Sequence, residues 1–187
     1  MLPQPKDCYC YTPLPTGPYI RILKLNQGQQ SDPLSGDLQL RHIDETGSYE
    51  PLSYVWGSST RCSEFICCGR NIALTPNLQD ALCRLRRWDR PRYLWVDQLC
   101  INQDDQAERS RQVQYMNTIY NNATHVLVWL GKDPHAVARD AFELVHSLSQ
   151  TFRNPEDKEA FRVRYTERLH DRSMKDWEPL KHLCKNS

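Results

Sequence analysis

No stretch of this chain comes near the ~20 consecutive apolar residues that cross a bilayer, so no transmembrane helix is expected. The start, Met1-Leu-Pro-Gln-Pro-Lys-Asp-Cys8, has no apolar signal core, which argues against secretion and for a cytoplasmic protein. An excess of charge of one sign is missing too. With 24 Lys and Arg against 23 Asp and Glu the net charge is +1, and a strongly basic nucleic-acid binder is not expected. Neither GxGxxG nor GxxxxGK followed by Ser or Thr occurs, so both phosphate-binding fingerprints are absent. No internal repeat is visible. Cys8-x-Cys10 and the Cys67-Cys68 pair lack the two-residue spacing of zinc knuckles, and no metal site is expected. Without a signal peptide the eight cysteines read as reduced thiols, with Cys83 and Cys100 as small core residues.

What is present fits one domain. The 187 residues are 39% apolar and 25% charged, near globular averages, and enough to bury a core without staples. Residues 1–18 hold Pro3, Pro5, Pro13, Pro15 and Pro18 and read as an extended arm, not a packed element. Alternation over Tyr19–Leu25 and Asp37–Ile43 predicts two strands, and Tyr49–Trp56 a third. Glu64–Cys68 and Asn71–Leu74 flank Gly69-Arg70 as a hairpin. Thr75-Pro76 caps a helix with Leu78, Ala81, Leu82 and Leu85 inward. Arg92–Val96 is a short strand ending on Asp97. Asp105-x-x-Glu108 is a capping box opening a second helix, whose buried face is Val113, Met116, Ile119 and Tyr120. His125–Leu130 reads as a strand covered on both faces. Asp133-Pro134 starts a third helix, with Val137, Ala141, Leu144, Val145 and Leu148 inward.

Strand and helix alternate from about Leu52 to Phe152, which predicts an α/β fold: a parallel sheet with flanking helices, and the N-terminal strands and hairpin on one edge. The expected division is an arm at 1–18, an α/β domain at 19–152 and a charge-dense helical extension at 153–187. In that extension Phe161, Tyr165 and Leu169 form a narrow stripe.

In an open parallel sheet, ligands bind beyond the carboxyl ends of the strands. Those ends carry Ser53, Tyr54, Trp56 and Gly57, then Asp97, Asn102 and Gln103, then Gly131. These are the candidate ligand-binding residues. Asp97 and Glu108 are the candidate catalytic carboxylates, because a carboxylate pair held ~5–9 Å apart cleaves glycosidic bonds. Against this, Asp105 and Glu108 cap a helix, Asn102 makes a turn, and Asp97 can simply anchor its loop. Arg84, Arg86, Arg87, Arg90 and Arg92, with Trp88 and Tyr93 interleaved, read as a solvated helix face and exit loop rather than a nucleic-acid surface.

Five segments occur together in order: Leu52-Ser-Tyr-Val-Trp-Gly57, Leu74-Thr-Pro-Asn-Leu-Gln-Asp-Ala-Leu82, Tyr93-Leu-Trp-Val-Asp-Gln-Leu-Cys-Ile-Asn-Gln-Asp-Asp-Gln-Ala-Glu-Arg109, Gln112-Val-Gln-Tyr-Met-Asn-Thr-Ile-Tyr120 and Val126-Leu-Val-Trp-Leu-Gly131. Over about residues 49–131 this set closely resembles the heterokaryon-incompatibility (HET) domain of fungal proteins. The resemblance implies a signalling or effector domain in non-self recognition and the programmed cell death that follows hyphal fusion. It implies protein partners in that signalling and leaves self-association open. A more distant likeness to Toll/interleukin-receptor (TIR) domains implies a flavodoxin-like sheet, with NAD hydrolysis as the alternative function and NAD as substrate rather than cofactor. The family pattern continues to a segment of the type Arg-x-Trp-x-x-Gln-Glu. Asp176-Trp177-Glu178-Pro179-Leu180 looks like its lead-in, so the chain is expected to be truncated and any enzyme activity weak.

Overall fold

Tyr19–Leu25 (β1) and Ser35–His42 (β2) pair antiparallel from Tyr19 opposite His42 to Leu25 opposite Gly36. A computed structural model describes residues 8–58, 60–133 and 138–151. Expectations for Pro3, Pro5, Val137, the side chains of Leu144 and Leu148, and everything after Thr151 lie outside these residues. The chain divides into two compact units, Met1–Trp129 and Leu130–Ser187.

The first unit continues with β3 (Glu50–Tyr54), β4 (Ser63–Cys67), β5 (Arg70–Leu74), α1 (Pro76–Leu85), β6 (Arg92–Trp95), α2 (Asp97–Cys100), α3 (Gln106–Asn121) and β7 (Leu127–Trp129). Seven strands form one sheet in the order β5-β4-β2-β1-β6-β3-β7. The three strands that alternate with helices, β6, β3 and β7, are adjacent and mutually parallel, as the pattern requires. The sheet as a whole is mixed, which corrects the expectation of a parallel one. The α/β class stands, but β1 runs antiparallel to both β2 and β6, and the β4–β5 hairpin is antiparallel within itself. The N-terminal strands and hairpin do lie to one side of the parallel trio. That places β1 in the interior of the sheet, with core residues Ile20, Ile22, Leu23 and Leu25 all buried.

Local chemistry sets the element ends. Thr75 caps α1, its hydroxyl accepting from the Leu78 N–H at 3.4 Å, with Pro76 opening the helix. Leu78, Ala81 and Leu82 are buried and Leu85 packs at the margin. The hairpin turn is Cys68-Gly69 rather than Gly69-Arg70. Both residues have positive φ (50° and 75°), the backbone of a two-residue turn that matches strand twist. Gly36 in β2 has a different reason: a Cβ there would meet the Lys24 carbonyl oxygen at 2.3 Å.

Other expectations change. The buried face of α3 is Glu108, Gln112 and Ile119; Val113 is 55% exposed. Two polar side chains displace it because both serve β1. The Gln112 amide donates to the Tyr19 carbonyl, and Glu108 meets a buried arginine. Covering on both faces fails at β7. Val126 and Val128 are exposed, while Leu127 and Trp129 pack on the core. As the last strand of the sheet, β7 is half-covered by these neighbours, and its apolar run exceeds what is buried. The arm is held from Cys8 onward: Tyr9 N–H donates to the Asn71 carbonyl at 3.0 Å and the Tyr11 hydroxyl to the Leu99 carbonyl at 2.9 Å.

The buried arginine is Arg21 on β1. Its guanidinium donates to both Glu108 oxygens (2.6 and 3.0 Å) and to the carbonyls of Cys100 (3.0 Å) and Thr12 (2.7 Å). The Tyr11 ring stands 5.0 Å from it. One strand, two helices and the arm thus meet on a single charge pair.

In the second unit, α4 (Ala138–Thr151) begins with its Ala138 N–H donating to the Asp133 carboxylate at 3.0 Å. Ala141 is buried but Val145 is exposed, so the covered arc is narrower than the apolar stripe.

Candidate functional site

The parallel trio sends β3, β6 and β7 out at the same end, and three side chains meet there. Tyr54 is the last residue of β3. Trp56 follows in the connecting segment, and Asp97 opens α2 just after β6. The Trp56 indole N–H donates to Asp97 Oδ2 at 2.8 Å, and the Gln98 N–H donates to Oδ1 at 2.7 Å. The Gln103 amide donates to the Asp97 carbonyl at 2.7 Å, bracing the turn from behind. Burial pushes the Asp97 carboxyl above its ordinary range, and the Trp56 and Gln98 bonds pull part of the way back.

The Tyr54 hydroxyl is buried and faces the Asp97 carboxylate, without a well-formed hydrogen bond among the described residues. Burial, then the neighbouring Asp97 charge, pushes its phenol far up, so it stays protonated. Tyr120 is raised for the same two reasons. The result is a half-buried carboxylate bordered by Tyr54, Trp56 and Tyr120, with a loosely engaged phenol donor beside it.

Sequence reasoning missed two members. Asn77, in the first turn of α1, accepts from the Trp129 indole N–H at 2.8 Å and donates to the Val55 carbonyl. It fastens the ends of β3 and β7 to the start of a helix. Gln98 is buried, its oxygen facing Thr75 N and Oγ1 at 3.3 Å, its amide nitrogen unpartnered among the described residues. The only signal was position: both sit within two residues of features already singled out, Thr75-Pro76 and Asp97.

The other candidates are placed elsewhere. Ser53 pairs with Val128 while Tyr54 pairs with Trp129, so Ser53 lies on the opposite face of the sheet. Gly57 has φ +69° and open space around it apart from Asn77, so its strain, not crowding, resists substitution. Asn102 belongs to the loop before α3. Its N–H donates to Glu108 Oε1 at 2.7 Å and its side chain accepts from the Asp104 N–H. Glu108 is buried, with one oxygen on Arg21 and Asn102 and the other on Arg21. The capping box is half-formed: Asp105 accepts from the Glu108 N–H, but the Glu108 side chain turns to Arg21 instead of back to Asp105. Gly131, φ +98°, belongs to the second unit.

Cys100 is fully buried and its thiol is pushed up to about 12, which makes it a core residue rather than a nucleophile. Cys83 is half-buried and Cys67 is buried. Among the described residues no three His, Cys, Asp or Glu side chains gather as a metal ion needs. Among them, too, no helix is long and apolar enough to cross a membrane.

A parallel strand trio ending on a desolvated, hydrogen-bonded carboxylate defines an α/β domain with a strand-end polar site. A family model described as heterokaryon incompatibility protein (HET) matches residues 49–187, a span that includes all of this site. The chain belongs to that family. It is 41% identical over 127 residues to heterokaryon incompatibility protein 6, OR allele, of Neurospora crassa; the match covers 60% of this chain and 19% of that protein. The chain thus spans about a fifth of the length of the curated relative it matches. No solved structure matches it.

Proposed function

We propose that this chain is an effector domain of fungal non-self recognition, acting through protein partners in the cytoplasm to drive the cell-death response of heterokaryon incompatibility. Its family supports the biological setting. The observation that carries the molecular part is the Asp97 cup. A raised carboxylate beside a loosely engaged tyrosine hydroxyl is suited to take a hydrogen-bonding ligand whose arrival alters α2 and the loop behind it. The parallel trio is what supports a flavodoxin-like, TIR-like reading of the sheet, and the antiparallel β1 departs from it. In this reading Glu108 is structural, since releasing it would strand Arg21. Asp97 would therefore have to act without a carboxylate partner, which favours recognition over glycosidic cleavage.

The test is inducible expression of the chain and of Asp97→Asn in a fungal host, with growth arrest as readout. Arrest by the parent and its loss in the variant, both folded by circular dichroism, is expected. Equal arrest by both would remove Asp97 from the function. Nicotinamide release from NAD by the purified parent, abolished in Asp97→Asn, would replace recognition with hydrolysis.

A further inference from the structure

At the opposite end of the parallel trio, where β3 and β6 begin, lies a cleft of about 360 Å³. Arg92, the first residue of β6, grips Glu50, the first residue of β3, through two bonds of 2.7 and 3.0 Å, and donates a third to the Leu85 carbonyl. This pair forms a fixed floor: three of the five Arg92 N–H donors are spent, and the Glu50 charge is matched by Arg92. Arg92 first, then Arg87 and His125, act on Glu50 to hold its carboxyl below the ordinary range.

Arg87 lines the same cleft, and its side chain makes no hydrogen bond among the described residues. Its backbone is pinned, since the Arg87 carbonyl accepts from the Gly28 N–H at 3.0 Å. The guanidinium is therefore delivered from a fixed point but left unspent. Two guanidinium groups face one carboxylate, and the cleft keeps a net positive charge before His125 is counted. The Ser48 and Thr124 hydroxyls, 2.8 Å apart, stand on its rim with His125. Tyr93, 38% exposed, supplies a flat apolar wall.

We propose that this cleft binds a small phosphomonoester carrying a flat apolar group, an aryl phosphate in chemical class. A carboxylate would be satisfied by Arg87 alone. A phosphate dianion has three terminal oxygens and uses the further donors, Thr124, Ser48 and His125, as well as the surplus charge. The volume is at the small end of ligand sites, ~300–1,000 Å³, so the cleft takes one such group and its ring against Tyr93. The site is separate from Asp97 and stands whether or not that residue binds a ligand.

The test is titration of the isotope-labelled chain with phenyl phosphate, followed by amide chemical shifts, with phenol and inorganic phosphate as controls and a phosphotyrosine peptide as a further arm. Expected are saturable shifts confined to residues around Arg87, Tyr93 and Thr124, weaker binding of inorganic phosphate and none of phenol. Arg87→Gln should weaken phenyl phosphate at least about tenfold, with Arg87→Lys recovering part of the loss and the spectrum otherwise unchanged. Tighter binding of the peptide would assign the aryl phosphate to a protein source, and tighter binding of the free ester to a metabolite; both support the site. Absence of shifts at millimolar phenyl phosphate, equal binding by Arg87→Gln, or equal binding of phenol would overturn it.

Discussion

Removing the Glu108 carboxylate should destabilise the fold more than any other single charge deletion among the described residues. Arg21 is 4% exposed and Glu108 1%, so solvent cannot take over for the lost partner. Breaking a buried pair by deleting one member typically costs about 3–5 kcal/mol, because the other charge is left desolvated. Here the Asn102 N–H also loses its acceptor, which places the expected loss for Glu108→Ala at the upper end. Against a typical total of about 5–15 kcal/mol, that leaves a chain close to unfolding at room temperature. Urea denaturation followed by circular dichroism measures it. The double variant Arg21→Met with Glu108→Leu separates charge from packing. With no stranded ion it should lose much less than the two single changes added together. Recovery stays incomplete, because the Cys100 and Thr12 carbonyls no longer have a donor. A loss below about 1 kcal/mol for Glu108→Ala, or strict additivity in the double variant, would refute the claim that charge burial organises this junction.

Three further outcomes follow from geometry. Asp97 has a folded pKa raised above its ordinary 3.8, so its proton binds more tightly in the native state; its contribution is fullest below that value and is lost as pH rises through the raised one. Asp97→Asn should remove that part of the pH slope, and parallel denaturation curves across the acid range check it. Gly36→Ala should cost roughly 1–3 kcal/mol or more, since the new methyl meets backbone that cannot turn aside; an unchanged melting temperature would contradict the close approach. Trp95→Ala should cost about 3–5 kcal/mol, and Trp129→Ala less, because Trp95 is fully buried and Trp129 only half. Denaturant midpoints for the two variants settle the order.

The elements easiest to read from sequence were those whose signal is local. Period-two alternation located β1, and a hydroxyl followed by proline located the start of α1. The parallel order of β6, β3 and β7 followed from strand–helix alternation. The antiparallel insertion of β1 did not, because nothing in Tyr19–Leu25 encodes which neighbours it will have. Arg21 shows why. In an alternating pattern a charged residue reads as solvent-facing, and only the distant Glu108 makes its burial tolerable. Glu108 was misjudged for the mirror-image reason: its spacing from Asp105 fits a capping box, and the competing partner lies 87 residues away. At the candidate site, Trp56 and Asp97 were legible because strand ends converge by topology. Ser53 was not separable from Tyr54 until the pleat fixed which face each occupies.

The position of β1 bears on where this domain begins. The stretch shared with the family starts at residue 49, yet β1, over Tyr19–Leu25, fills the slot between β2 and β6 and supplies the cation for Glu108. A fragment started at Tyr49 would keep every motif and lose its keystone: β6 would show a bare edge of N–H and C=O groups, and a carboxylate would lie buried without its counter-ion. The segment that looks least like the family is therefore part of its folding unit. Swapping this domain between relatives should respect that seam, carrying the chain from Cys8 onward rather than from the first recognisable motif.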